Sequence, residues 1–214
     1  MSILTLQTVL SQARTLLNDD AGSQFPDSIL IPKIQLAHQE LQTALWDAGS
    51  PSVRAVSSPI QITAGNLTLT PTSSPALPSD YLTAFRLMES AASTGPWTPM
   101  TEVMFITDLQ LAGYIAGATL KWWCNIQDQI AFLGSTNSPY IIMNYRRFIA
   151  LPVAATDSLG VPFAEQYLSY RAGALAGGSL GDPNSLKNLS DMATANLVKV
   201  VMANRGKQMS PIKP

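Results

Sequence analysis

Residues 120–149 read LKWWCNIQDQIAFLGSTNSPYIIMNYRRFI, and the fold turns on how that run is divided. Its β-branched and aromatic residues, broken by turn residues, predict three strands: Leu120–Ile126, Gln129–Leu133 and Tyr140–Ile149. A tight turn at Gln127-Asp128 joins the first two. Side chains alternate along a strand, so Trp122 and Trp123 point to opposite faces. At least one face of this sheet therefore meets something other than its own core, or exposes a tryptophan. Arg146 and Arg147 diverge in the same way and cannot form one patch together. They read either as a solvated strand end or as contacts to nucleic acid or to a partner's acidic groups.

Helical periodicity flanks this region on both sides. Leu6, Val9, Leu10, Ala13, Leu16 and Leu17 recur at the spacing of one helix face, and the run Asn18 to Gly22 breaks it. A second helix is predicted after Phe25-Pro26-Asp27, with Asp27 as its N-cap and a stripe through Leu30, Ile34, Ala37, Leu41 and Ala44 or Leu45. Near the other end, Pro162 suits the first turn of a helix through Phe163, Tyr167, Tyr170 and Ala174. Asp182-Pro183 marks the start of a last helix with Leu186, Leu189, Ala193, Leu197 and Val200 on one stripe, and Gly206 is a well-placed stop.

Between helices and strands lies a stretch of different character: 16 of the 31 residues from 50 to 80 are Pro, Ser or Thr. It reads as a linker or, from Ile60, Ile62, Leu67 and Leu69 around Ala64-Gly65-Asn66, as a small hairpin. Tyr81 to Met88 follows as a strand, Ser90 to Met100 as an exposed loop carrying Trp97, and Glu102 to Tyr114 as a short helix. The fold class expected is mainly α with a β insertion. Residues 1–49 and 150–206 form a helical bundle, residues 50–149 a small antiparallel β-rich projection with a short helix, and residues 207–214 a flexible basic tail.

Of the 214 residues 46% are hydrophobic and only 13% charged, against about 25% charged in an ordinary domain. The 21 Ser and 17 Thr outnumber all 27 charged residues, so surface polarity comes from hydroxyls more than from ions. Such a surface suits burial against other subunits, because interface cores are depleted in charge. A monomer of biased composition fits the same numbers. A net charge of -1 argues against general nucleic-acid binding, but residues 187–214 hold 5 basic and 1 acidic group against 8 and 13 in residues 1–186. Lys199 and Arg205 complement a helix C-terminus, whereas Lys207 and Lys213 lie on a Pro-ended tail suited to docking on an acidic partner.

Little points to catalysis. The single histidine, His38, sits at the edge of an apolar stripe with no nucleophile in sequence reach, and the single cysteine, Cys124, reads as a buried small hydrophobe. One Cys excludes an internal disulfide, one His excludes the usual zinc set, and the compartment reads as reducing. The pair Asp19-Asp20 reads as a helix stop, and the Gly-rich run 173–181 lacks the Lys-Ser/Thr ending of a phosphate loop and reads as close helix packing. The expectation is no catalytic residue, no cofactor and no metal. No signal peptide or membrane segment is expected.

Taken in order, these features resemble the head-to-tail adaptor, or connector, proteins of tailed bacteriophages, in particular those under the portal of short-tailed phages. The resemblance rests on the first helix ending in an acidic turn, Phe25-Pro26-Asp27 into a helix with Leu30, Ile34 and Leu41, and Leu77-Pro78-Ser79-Asp80-Tyr81 into a strand. It continues with Trp123 before Asp128-Gln129-Ile130-Ala131-Phe132, Asn144-Tyr145-Arg146-Arg147 through Leu151-Pro152 to Asp157, and Pro162-Phe163 opening the late helices. It implies a structural virion protein, made in the host cytoplasm, that assembles as a dodecameric ring, binds the portal and extends the DNA channel. Double-stranded DNA would pass through without specific binding during genome ejection, and the far side would dock tail or nozzle proteins. Residues 186–214, with Lys199, Arg205, Lys207 and Lys213, would face the portal. Trp97, Trp122, Trp123, Arg146 and Arg147 would meet the tail or a neighbouring subunit. A different neck or tail-completion protein, a monomeric binding module, and an enzyme of unknown type are the competing expectations.

Overall fold

The computed structural model describes residues 5–178 and 183–205. Among them the chain forms five α-helices and nine strands in two sheets, and folds as two units: residues 54–148 form one, and the flanking segments form the other. The expectation of a mainly α protein with a small β projection is therefore corrected to a mixed α/β fold with 22% strand. The physical reason lies in the middle of the chain. Segments that read as linker or loop pair as strands, and the middle region builds a hydrophobic core of its own.

In the helical unit, α1 (Leu6–Leu16) and α2 (Asp27–Asp47) bury the stripes their periodicity marks. The turn between them is organised by Asp19, whose carboxylate accepts the amides of Ser23 at 2.9 Å, Gln24 at 3.1 Å and Phe25 at 2.6 Å. Burial pushes that carboxyl up, but the amides of Phe25, Gln24 and Ser23 with the Ser23 hydroxyl outweigh it and hold the group below the usual carboxylate range. The acidic pair is thus half cap, with Asp20 left to accept the Thr15 hydroxyl.

The central element is α4 (Glu165–Gly177), which packs on α1, on α2 and on α5 (Pro183–Ala203). It starts at Glu165, three residues after Pro162 and beyond Phe163, which is exposed at φ +63°. Its small residues face these neighbours: a Cβ on Gly173 would meet Leu189 of α5 at 3.6 Å and one on Gly177 would meet Leu17 at 3.5 Å, both ordinary contact distances. Arg171 of α4 clamps Glu40 of α2 through both carboxylate oxygens, at 2.7 and 2.8 Å. The cap at Asp182 and the stop at Gly206 lie outside the described residues.

The second unit opens with β1 (Arg54–Val56), β2 (Ile60–Gln61), β3 (Thr68–Leu69) and β4 (Tyr81–Ser90). It continues through β5 (Thr98–Pro99), β6 (Thr101–Glu102), α3 (Ile106–Leu111), β7 (Trp122–Ile126), β8 (Gln129–Phe132) and β9 (Tyr140–Arg147). One sheet runs β1-β9-β4-β5, with β2 also pairing with β9, and the other runs β3-β8-β7-β6. Only the β6–β7 pair is parallel among the described strands. The β7–β8 hairpin forms as its sequence predicts, with Gln127 at φ +55° in the turn. The third predicted strand leaves that hairpin and joins the other sheet. The predicted Ile60–Leu69 hairpin does not form either: the turn at Gly65 is present, but β2 pairs with β9 and β3 with β8.

The two sheets share one core. Leu87, Ile141, Met143 and Tyr145 from the first meet Leu69, Trp123, Ile130 and Phe132 from the second. A second, smaller cluster of Ile106, Cys124, Ala131 and Leu133 covers the other side of the β7–β8 hairpin, with Trp122 half-buried against it. Alternation explains both clusters, since successive residues of β8 feed them in turn.

Candidate interaction surfaces

Backbone accounting in β4 explains the first surface. The register of β4 on β9 slips between Ala84 and Arg86, and at Ala84 the backbone amide and carbonyl are met by side chains. The Asn125 side chain, on β7, donates through Nδ2 to the Ala84 carbonyl at 2.9 Å, and the Ala84 amide is accepted by the Tyr81 hydroxyl at 3.1 Å and by Asn125 Oδ1 at 3.3 Å. Because of this bulge, Phe85 and Arg86 both face solvent. Arg86 then lies across from Asn144, while Arg146, two residues along β9, lies across from Arg54 of β1. Arg54 in turn stacks over the Phe85 ring at 5.3 Å.

Three exposed arginines therefore share one sheet face, and no carboxylate pairs with any of them among the described residues. Like charges directly across a strand pair cost stability, so this face favours an anionic surface laid against it. The sequence separates Arg54, Arg86 and Arg146 by 32 and 60 residues, which is why only Arg146 stands out along the chain. Arg147 is half-buried beside Tyr81 and takes no part in this face.

The second surface is apolar. From 104 to 119 the chain carries one charged residue, Asp108, and leaves Leu111 87%, Ile115 83% and Met104 79% exposed. Phe105 and Tyr114 are about half exposed. Among its described side chains and backbone the segment is pinned at three points. Ile106 is buried in the smaller cluster, Tyr114 stands edge-on to Trp122 at 5.0 Å, and the Gly117 carbonyl accepts the Thr136 amide at 2.8 Å. The predicted helix from Glu102 to Tyr114 is reduced to the six residues of α3.

Beside this segment a cleft of about 1030 Å³ opens at the ends of β4 and β5. Alanines and prolines line much of it, with Trp122 and Lys121 on one wall. Glu89, buried there, accepts the amides of Leu120 at 2.8 Å and Lys121 at 3.2 Å, and the Lys121 ammonium lies over the Trp122 ring at 5.4 Å.

Among the other residues singled out by sequence, Trp97 is half-buried, Trp122 is half-buried, and Trp123 is only 1% exposed. Trp123 is thereby corrected from a partner contact to a core side chain, because its face of the β7–β8 hairpin is the face that meets the other sheet. Lys199 and Arg205 are exposed on and just after α5. The end of α5 is fixed by Asn204, whose backbone carbonyl accepts the Ser50 hydroxyl at 2.7 Å and whose side chain donates to the Pro162 carbonyl at 3.0 Å. Lys207 and Lys213 lie outside the described residues.

His38 is not at a boundary. It is fully buried, with Nε2 donating to the Leu159 carbonyl at 2.8 Å and Nδ1 accepting Gln42 Nε2 at 3.0 Å. Burial holds its pKa below the ordinary 6.5, with the Leu159 hydrogen bond opposing part of that shift. The unfolded chain then binds the proton more readily. Stability is complete above about pH 6.5 and falls as pH drops below it, by at most about 1.4 kcal/mol per pH unit. Because Asp19, Glu40 and Asp157 are all held below the usual carboxylate range, the window from pH 6.5 to about 5 belongs to this one histidine. Urea midpoints measured at pH 7.5, 6.5 and 5.5 are expected to fall mainly over the last step, and a flat series would show that the ring is not held neutral.

The motifs that carry the resemblance act as structural joints. The Asp80 carboxylate accepts the Tyr145 hydroxyl at 2.8 Å, tying the Leu77–Tyr81 turn to β9, and burial followed by that carboxylate pushes the Tyr145 hydroxyl up to about 12. Asp157 accepts the amides of Val153 and Ala154, both at 2.8 Å. Among the described residues no group of three or more His, Cys, Asp or Glu side chains is placed to hold a metal ion, and no helix is long and apolar enough to cross a membrane. The sequence matches no protein-family model and no curated protein. Fold and surfaces together define a two-unit mixed α/β protein whose described residues include a basic sheet face and an apolar segment beside a cleft.

Proposed function

We propose that this chain is a structural subunit of a virion head-to-tail adaptor ring: it binds beneath a portal, surrounds the DNA channel and offers its other side to tail proteins. The observation that carries the reading is the 104–119 segment. A monomer that leaves Leu111, Ile115 and Met104 to water has an unsatisfied apolar surface of the kind that marks protein contacts, and ring neighbours cover such a surface. The arginine face adds a second, polar contact suited to an acidic patch on a neighbour or a tail protein. The order of motifs along the chain supports the adaptor class, and the basic residues Lys199, Arg205, Lys207 and Lys213 supply the attachment to the portal.

The test is to mix the protein with its cognate portal and image the product. A ring stacked on the portal is the expected result, and association with tail proteins alone would replace this reading by a tail-completion role. Reversing Lys207 and Lys213 to glutamate is expected to weaken portal attachment at least tenfold with an unchanged thermal melt. Unchanged attachment would remove these lysines from the contact.

A further inference from the structure

We propose that the 104–119 segment of one copy seats in the cleft beside Trp122 of the next copy, so that the ring closes through a head-to-tail contact. The inference rests on the ring reading above and assigns its subunit interface.

The cleft fits a protein surface better than a small polar ligand. Ligand sites place a few convergent polar groups for the guest, whereas here the charged groups are already engaged and the remaining polar lining is neutral hydroxyls and amides. Both oxygens of Glu89 are taken by backbone amides, the Lys121 ammonium lies on the Trp122 ring, and the Ser90 hydroxyl accepts the Ala92 amide at 3.1 Å. What the cleft offers is apolar wall, and what the segment offers is apolar side chain. Charge does not oppose the fit: the segment's one charged residue is the acid Asp108, and among the described residues the cleft carries Lys121 toward it, with the Glu89 carboxylate covered by backbone amides.

Size argues for a ring over an isolated pair. Sixteen residues line the cleft and the segment has the same length, whereas a stable interface of standard size uses roughly 20–30 residues a side. A subunit that gives its segment to one neighbour and its cleft to the other makes two such contacts, and closure adds them. Contact between unlike surfaces is heterologous, and heterologous contacts form rings when the rotation closes. Ala118 and Thr119 belong to both the segment and the cleft wall, so the alternative is a two-fold dimer in which two copies exchange segments.

Cysteine crosslinking separates these outcomes. Leu111→Cys marks the segment and Ala92→Cys the cleft, and both sites are exposed. The native Cys124 is 1% exposed and does not compete. With a short bismaleimide, a mixture of the two single variants is expected to give covalent dimer at least tenfold above either variant alone. A chain carrying both cysteines is expected to give a ladder extending past the dimer. A ladder that stops at dimer, dimer from Leu111→Cys alone, or no product in the mixture would each overturn the proposal. Leu111→Asp with Ile115→Asp, at sites where side chains meet mainly water, is expected to abolish the ladder and leave the thermal melt unchanged. The outcomes also separate the two levels: a ring on the portal without this crosslink sinks the interface alone, and the crosslink without portal binding sinks the adaptor role alone.

Discussion

Replacing Gln42 by alanine is expected to destabilise the helical unit by about 3–5 kcal/mol, because three buried polar groups lose their partner and each costs about 1–3 kcal/mol when left unpaired. Gln42 is fully buried in α2. Its Oε1 accepts the Ile149 amide at 2.9 Å, and its Nε2 donates both to the Ile149 carbonyl at 2.9 Å and to His38 Nδ1 at 3.0 Å. One side-chain amide thus completes the backbone hydrogen bonding of Ile149, where the chain re-enters the helical unit, and sets the tautomer of the histidine. The loss is a large share of the 5–15 kcal/mol that holds a typical domain together. Gln42→Glu is expected to recover part of it, since a carboxylate still accepts the Ile149 amide but cannot donate to the carbonyl. Paired with His38→Leu, Gln42→Ala is expected to cost less than the sum of the single changes, because Nδ1 no longer needs a donor. Urea denaturation measures all three, and a cost under about 1 kcal/mol for Gln42→Ala would show that water replaces the amide.

Trp123→Ala is expected to cost the β unit a similar amount, about 3–5 kcal/mol, the range for removing a large aromatic from a core. Trp123 is among the largest fully buried side chains and stands between the two sheets with Phe132, Leu87 and Ile141 in the same cluster. Truncation leaves a cavity that two hydrogen-bonded sheets cannot collapse to fill. Among the described residues its indole N–H has no hydrogen-bond partner, so Trp123→Phe, which removes that donor and keeps an aromatic ring, is expected to cost less than half as much. Comparable losses for the two variants would mean that the indole ring itself, and not the filled volume, is required. By contrast, Trp122→Ala removes the edge-on contact with Tyr114 and a wall of the cleft, and its effect is expected on assembly more than on folding.

The difference between these neighbouring tryptophans shows how far sequence reaches. Alternation predicts that they face opposite ways, and they do. Which one is inside depends on which face of the β7–β8 hairpin meets the other sheet. Similarly, Arg146 is visible as a charge on a strand. Its grouping with Arg54 and Arg86 depends on strand order and on the slip after Ala84, and the side chain that binds the Ala84 carbonyl there, Asn125, comes from the opposite sheet. The exposed segment at 104–119 is legible as a stretch almost free of charge, but its helical pattern suggests burial, and only the packing shows that Ile106 is inside while Met104, Leu111 and Ile115 are outside.

By itself, the sequence determined the elements set by local periodicity: α1, α2, the turn of β7–β8, the strand β9 and the proline start of α5. It also determined that Cys124 is a core residue and that charge is scarce. These follow from side-chain spacing and turn chemistry, which act between residues a few positions apart. The tertiary structure decided that β2 and β3 part to different sheets, that β9 joins β4 instead of β8, that His38 is interior, and that the β region has a full core. Pairing and burial of that kind are settled between residues tens of positions apart, where the same alternating strand can satisfy its hydrogen bonds with more than one partner and only the packing of the whole unit selects among them.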